Sequence, residues 1–400
     1  MNYIIVMFKI IINFFFLNVL KFLDFFFNLF GFKKNYIIFS SGTDNSYNDN
    51  SRYLYEYLSK KKLDVFWKTN NEKIKKYLNS NNLMYLDYKN IFRFIYIVLQ
   101  TKIVISSGSS YYNCFDFFQN KNIIKISLGH GAGNKVVIQK YIEDGKLENY
   151  RKFDYVNFTS KFTIKEIGIK LYKLNKNKIL NFGYPRIENL IKNITNKNEI
   201  LPSKILGNYD YEKIMLYTPT WRPYEYNLPL FDLKNFNLKK FNNFLKNKNI
   251  ILLISLHPMS PKNKYKLENM KYSNIKIINK KLHPIFDTTH FFKFTDILLN
   301  DCSTTSTDFS ILNKPQIFIF PDYKKYMKHT SLLENYHANL QGSFVSNFSN
   351  LKKEISKNIK DNKLYKKKFS KALKSNIKKY YDHNITAKVN DRFYHFLKKL

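Results

Sequence analysis

The chain has 400 residues, a formal net charge of +37 and a hydrophobic fraction of 44%. That length and apolar content fit two folded domains and exclude a wholly disordered chain, in which low hydrophobicity accompanies high charge. The two cysteines, Cys114 and Cys302, exclude a disulfide scaffold and a four-cysteine zinc site. The basic excess suggests a nucleic-acid binder. However, the basic residues are scattered from end to end, while Gly and Pro number only 11 and 10. A composition bias across the whole chain explains that pattern, so nucleic acid is not an expected partner. An anionic substrate or an anionic membrane surface fits the charge equally well.

Residues 3 to 32 are dense in Ile, Phe and Leu, and their longest charge-free run is Ile10 to Leu20. That is short of the roughly 20 apolar residues of a spanning helix. On a helix, Lys9, Asn13, Lys21, Asp24 and Asn28 share an arc of about 120°, Asn18 falls outside it, and the rest of the surface is apolar. Three readings stand: a helix lying in the membrane interface, a spanning or signal-anchor helix, and a helix packed on the protein's own core.

From residue 35 strands alternate with helices. Tyr36–Ser40 reads as a buried strand, Ser41–Asn50 as a polar turn and Ser51–Lys62 as an amphipathic helix. Strands follow at Asp64–Lys68, Lys102–Ser106, Ile123–Ser127 and Tyr155–Thr159, then a helix over Lys161–Tyr172. Residues 193 to 212, rich in Asn and Lys, form a seam. The alternation restarts with a strand at Met215–Thr218, a helix at Leu233–Asn247 and a strongly apolar strand at Ile250–Leu256. Strands at Asp296–Asn300 and Gln316–Phe320 flank a helix, and Leu351–Leu400 reads as lysine-rich helix. Two successive α/β units of this kind predict two parallel sheets, with ligands bound beyond the carboxyl ends of the strands in the cleft between them.

Four segments at strand ends carry candidate chemistry. Gly129-His-Gly-Ala-Gly-Asn-Lys135 combines glycines that let backbone approach a substrate with a base, His130, and an anion-binding Lys135. Tyr217-Thr-Pro-Thr-Trp-Arg222 offers Thr218, Thr220 and the fork of Arg222 to a phosphate. Leu256-His257-Pro258 places His257 where it could stabilise phosphate charge; His283-Pro284 lacks a preceding strand and is not a candidate. Asn300-Asp-Cys-Ser-Thr-Thr-Ser-Thr-Asp308 links a strand to a helix start rich in hydroxyls, a phosphate cradle with Asp301, Ser303, Thr304 and Asp308. Each has a plainer reading as a turn or a capped helix. Cys302 reads as a packed small residue rather than a nucleophile. No His-x-x-x-His, dense carboxylate cluster or P-loop appears, so no metal and no cofactor is expected.

Taken in order, these motifs resemble the CDP-glycerol glycerophosphotransferase family of teichoic-acid and capsule synthesis. Ser40-Ser-Gly42, Asn50 and Tyr53-Leu-Tyr-Glu-Tyr-Leu58 look like its first strand, loop and helix. His130-Gly131 with Lys135 keeps the H-G-x-x-x-K spacing, Gly183-Tyr-Pro-Arg186 looks like its G-Y-P-R turn, and Tyr217–Arg222 and Leu256–Pro258 resemble Y-x-P-T-x-R and L-H-P. Asp301, Ser303, Thr304, Asp308, Lys314, Pro315, Asp322 and Tyr326 fall in register with the family's D-Y-S-S block. The sequence departs from W-H-G-T-P-L-K at Gly129–Lys135 and from D-Y-S-S at Asp301-Cys-Ser-Thr304, which leaves ribitol phosphate or another CDP-activated unit open beside glycerol phosphate.

The resemblance implies an α/β, GT-B-like fold of two Rossmann-like domains, preceded by an amphipathic membrane-associated helix. The expected division is that helix over 1–33, an acceptor domain over 34–200, a donor domain over 201–380 and a C-terminal helix over 381–400. It implies transfer of a polyol phosphate from a CDP-activated donor to a lipid-linked or polymer hydroxyl acceptor, releasing CMP, by a peripheral protein at the cytoplasmic face of the membrane. His130 and His257 take catalytic roles; Arg222, Thr218, Thr220, Ser303, Thr304, Asp301 and Asp308 meet the donor; Lys135 and Gly131 meet the acceptor or its anion. The alternatives are a nucleotide-sugar glycosyltransferase on the same scaffold and a non-enzymatic membrane-attached binding module.

Overall fold

The structure is a computed structural model that describes residues 18–19, 22–23, 25–26, 29–30, 35–41, 46–87, 89–108, 123–138, 148–193, 211–224, 228–257, 272–278, 284–338 and 340–400. The first unit is a parallel sheet of β1 (Tyr36–Ser40), β2 (Val65–Lys68), β3 (Tyr85–Leu86), β4 (Thr101–Ser106), β5 (Ile124–Ser127), β7 (Tyr155–Asn157) and β8 (Ile179–Leu180). Its order is β3-β2-β1-β4-β5-β7-β8. The chain enters at the centre, winds outward through β3, then reverses at β4. That reversal opens a crevice at the carboxyl ends of β1 and β4, where such sheets take ligands.

The second unit repeats the plan with β9 (Lys213–Tyr217), β10 (Ile250–Ile254), β11 (Ile275–Ile277), β12 (Ile297–Asn300), β13 (Gln316–Ile319) and β15 (Ser343–Val345), ordered β11-β10-β9-β12-β13-β15. Its crevice lies between the ends of β9 and β12. The strands read as unbroken apolar runs because both faces are covered. In β10, Ile250, Leu252 and Ile254 enter one core and Ile251 and Leu253 the other, the alternation a strand requires. In β1, Ile37 and Phe39 oppose Ile38 in the same way.

Two connections tie the units together. β6 (Lys135–Ile138), from the first unit, pairs antiparallel with β14 (Thr330–Leu332) from the second. After helix α4 (Phe348–Lys360) and the long α5 (Lys363–Tyr381), helix α6 (Val389–Leu397) returns to the first unit, where Val389, Phe393 and Leu397 complete its core. Neither connection is visible as periodicity, because each depends on a partner hundreds of residues away.

Three expectations shift. The first-unit helix α1 spans Asp49–Lys60, so it begins inside the expected turn and puts Asp49 at its first position. The helix expected at Leu233–Asn247 spans only Leu238–Lys246, because Asn237 caps it by accepting the Lys240 N–H and Pro229–Asp232 forms a separate 3₁₀ turn. The helix expected at Lys161–Tyr172 opens with a Ser160–Thr163 capping box and continues as π-helical turns over Ile164–Ile169. There Gly168 lies so close to the Phe158 ring that an added Cβ would fall 2.9 Å from it.

The N-terminal helix expected over residues 1–33 lies largely outside the described residues. Those that are described, Asn18, Val19, Phe22, Leu23, Phe25, Phe26 and Leu29, are helical. Among the described residues, no helix is long and apolar enough to cross a membrane. Most of the seam, Cys114, Pro258 and His283 also lie outside them.

Candidate active site

The first unit contributes His130, in the loop after β5. Gly129 precedes it at φ +74, a conformation that suits glycine, and a Cβ there would lie 2.9 Å from the Asn157 carbonyl. The imidazole is 68% exposed, and its Nδ1 meets Oδ2 of Asp49, only 11% exposed. Asp49 is itself held on several sides. Arg186 Nη1 donates to its Oδ1 at 2.6 Å, and its own N–H donates at 3.1 Å to Asp287 of the second unit. Burial alone would raise the Asp49 carboxyl, but His130 and Arg186 outweigh it and hold the group below the usual carboxylate value.

Arg186 stands at the start of α2 (Pro185–Asn193), where Pro185 suits the first helical turn. It is buried, stacks over Tyr184 at 4.5 Å from the ring centroid, and donates to the His130 carbonyl at 2.8 Å and to Asp308 at 3.0 Å. Burial opposes its charge, yet Asp308 and Asp49 keep the guanidinium firmly protonated. Asp308 also accepts a hydrogen bond from the Tyr381 hydroxyl at the end of α5. One chain of contacts therefore runs from His130 through Asp49 and Arg186 into the second unit.

The second unit's loops are closed on themselves. Asp301, fully buried, accepts the Thr220 N–H at 3.0 and 3.1 Å, the Thr220 hydroxyl at 2.6 Å and the Cys302 N–H at 2.7 Å. Arg222 reaches Asp301 at 2.7 Å and grips Asp322 through Nε and Nη2 at 2.7 and 2.9 Å. Its guanidinium lies over Tyr326, 4.6 Å from the centroid. Thr218 pairs with Thr305 at 2.9 Å. Burial, with Asp301 beside it, pushes the Cys302 thiol up to about 12, so it is no nucleophile at neutral pH.

The two loop sets touch. An added Cβ on Gly131 would lie 2.8 Å from Thr304 Oγ1, and one on Gly133 would lie 3.0 Å from Thr307 Oγ1. These glycines let the His130 loop lie flat against the start of α3 (Thr305–Ser310). Lys135, half-buried at the head of β6, stands within electrostatic reach of Asp301, Cys302 and Arg222. Burial lowers its ammonium below the usual lysine value, which Asp301 and Cys302 only partly offset. His257 is half-buried two residues after Ser255, at the end of β10 beside β9.

The structure thus gathers His130, Gly131, Lys135, Thr304 and Asp308 at one junction. Arg222, Thr220 and Asp301 hydrogen-bond one another inside the protein, and Asp308 pairs with Arg186 and Tyr381. The physical reason is that a guanidinium fork matches a carboxylate as well as a phosphate, and Asp322 already fills it. Sequence reasoning missed Asp49 and Asp287 and left Arg186 without a task. Its G-Y-P-R setting, a helix start after a strand, was the available signal for Arg186. Asp49 had none, because its partners lie 81 and 137 positions away. Among the described residues no group of three or more His, Cys, Asp or Glu could hold a metal ion.

Two parallel sheets of Rossmann-like order, whose carboxyl ends meet beside an exposed histidine, define a two-unit α/β protein. The chain belongs to the family described as CDP-Glycerol:Poly(glycerophosphate) glycerophosphotransferase, whose pattern matches residues 22–395. It is 30% identical over 206 residues to the teichoic acid glycerol-phosphate primase of Bacillus subtilis, covering 52% of this chain and 50% of that protein. It is 26% identical over 369 residues to the teichoic acid poly(glycerol phosphate) polymerase of Staphylococcus epidermidis, covering 84% of this chain and 47% of that protein. The chain spans about half the length of these two relatives. A structure of the wall teichoic acid polymerase TagF superposes with a TM-score of 0.72 at 20% identity, covering 92% of this chain and 89% of that one, and shares its fold.

Proposed function

We propose that the protein transfers glycerol phosphate from CDP-glycerol to a hydroxyl of a teichoic-acid-like acceptor and releases CMP. The observation that carries this reading is the exposed His130 imidazole, backed by a largely buried carboxylate, at the junction of two sheet ends in a chain of this family. His130 takes the proton of the acceptor hydroxyl. The oxygen attacks the β-phosphorus of the donor, and the electron pair of the breaking P–O bond leaves with CMP. Lys135, His257 and the hydroxyls of Ser303 and Thr304 meet the phosphate charge, since cations and oriented donors at the reacting centre lower the barrier. Arg222, Thr218, Thr220, Asp301 and Asp308 hold the loops that present those groups.

Residues 34–200 take the acceptor role and 201–380 the donor role in a GT-B-like arrangement. The acceptor is lipid-linked or polymeric, and the protein works peripherally at the cytoplasmic membrane face. Support for attachment through residues 1–33 is the exposure of Phe22, Phe25, Phe26, Leu29 and Phe30, apolar groups that water disfavours and an anionic lipid interface accepts. The test is a donor screen on the full chain with CDP-glycerol, CDP-ribitol and nucleotide sugars, with membranes as acceptor. CMP release from CDP-glycerol supports the reading; sugar transfer that leaves a nucleoside diphosphate, or no release from any CDP-polyol, overturns it.

A further inference from the structure

Asp49 is the least expected residue of the site. It is a non-glycine residue in the left-handed region, at φ 61, a conformation that L-residues adopt at a cost and that persists where the surroundings impose it. Four contacts impose it: its N–H donates to Asp287, its Oδ1 accepts from Arg186 and from the Asn50 N–H at 2.8 Å, and its Oδ2 faces Nδ1 of His130. Two of these anchors depend on the second unit, through Asp287 directly and through Asp308 behind Arg186.

We infer that Asp49 is a positioning residue that keeps the proton of His130 on Nδ1 and leaves Nε2 bare to receive the acceptor's proton, and that it does so only when the two units are closed on each other. This rests on the transferase reading above. A carboxylate has no proton to offer at neutral pH, so the hydrogen between Oδ2 and Nδ1 belongs to the imidazole. That assigns the tautomer. The other nitrogen is then the acceptor, on a side chain that is 68% exposed. Opening the units would remove the Asp287 and Asp308 anchors together, and the carboxylate would lose its fixed aim.

The isosteric change Asp49→Asn tests the assignment sharply. Arg186 and the Asn50 N–H are both donors and both claim Oδ1. The amide of an asparagine must therefore turn its oxygen to them and its NH₂ to His130. Nδ1 then has to accept, and the proton moves to Nε2, the position that must be empty. The same logic makes a wrong tautomer costly wherever a carboxylate orients a catalytic histidine.

The experiment is long-range ¹⁵N–¹H NMR of the full-length protein labelled at histidine, with His130→Gln to assign the signal, alongside CMP-release kinetics and thermal unfolding. The wild type should show His130 as the Nδ1–H tautomer at a pH where the ring is neutral. Asp49→Asn should show Nε2–H, with kcat down about 10²–10⁴-fold and donor KM within about threefold. Asp49→Glu, which keeps a carboxylate, should retain Nδ1–H and recover part of the rate. An Nε2–H signal in the wild type overturns the proposal even if no variant folds. So does Asp49→Asn that keeps Nδ1–H, or that keeps kcat within about threefold. A wild type with the expected tautomer but no transfer from any CDP-polyol would refute the transferase reading while leaving the tautomer assignment intact.

Discussion

The carboxyl ends of the two sheets are built alike but carry their charges differently. In the first unit the buried ions, Asp49 and Arg186, point their balance at an exposed imidazole. In the second, Arg222 pairs with Asp301 and Asp322 inside the protein, and Thr220 and Tyr224 add hydrogen bonds to those carboxylates. One end therefore presents an exposed imidazole backed by an ion pair, and the other presents loops whose ions pair inside the protein. The difference shows that a basic residue at a strand end can be paired inside the protein as readily as turned outward; what faces it decides.

That contrast can be broken by substitution. His130→Ala should lower CMP release by about 10²–10⁴-fold, the usual worth of a general base, with thermal stability close to wild type. Unchanged activity would remove the first unit's claim to the chemistry. Arg222→Ala should instead act on the fold, costing about 3–5 kcal/mol in denaturant unfolding because it strands two buried carboxylates. A stable Arg222→Ala protein with only a raised donor KM would show that Arg222 faces the ligand after all.

The contact between the two ends can be measured as a coupling. Gly131→Ala should destabilise by about 1–3 kcal/mol through overpacking against Thr304, and Thr304→Ala should relieve it in the double variant. Strictly additive effects in a double-mutant cycle would mean the loops do not meet.

A smaller effect lies in pH. The carboxyl of Asp287 is held well below the usual carboxylate value: burial opposes its charge, but His290 and the Thr289 hydroxyl outweigh that cost. A group depressed in the folded state adds stability above its unfolded value, near 3.9, and loses it as pH falls toward the folded one. Wild-type stability should therefore fall with acid below about pH 4, and Asp287→Asn should flatten that slope in unfolding curves taken across the range. The smallest effect belongs to Cys302. With its thiol pushed up to about 12, it should resist alkylation at neutral pH, and Cys302→Ala should keep activity within about threefold.

The sequence by itself determined the two-sheet plan, because buried parallel strands are short apolar runs that need no partner to be recognised: Tyr36–Ser40, Ile250–Ile254 and Ile297–Asn300 all sit where their patterns put them. It also singled out His130 as a candidate, a histidine among glycines after a strand that otherwise reads as a tight turn. Only the tertiary structure decided which charges are spent and which are available. Arg222 and Arg186 look equivalent in sequence, each following a strand and a turn with proline. Asp322 and Asp301 pair with one of them, while the other pairs with Asp49, the carboxylate that faces the imidazole. Those partners lie from 79 to 137 positions away. At that distance composition and periodicity carry no information, because an ion pair depends on where side chains meet and not on how far apart they are along the chain.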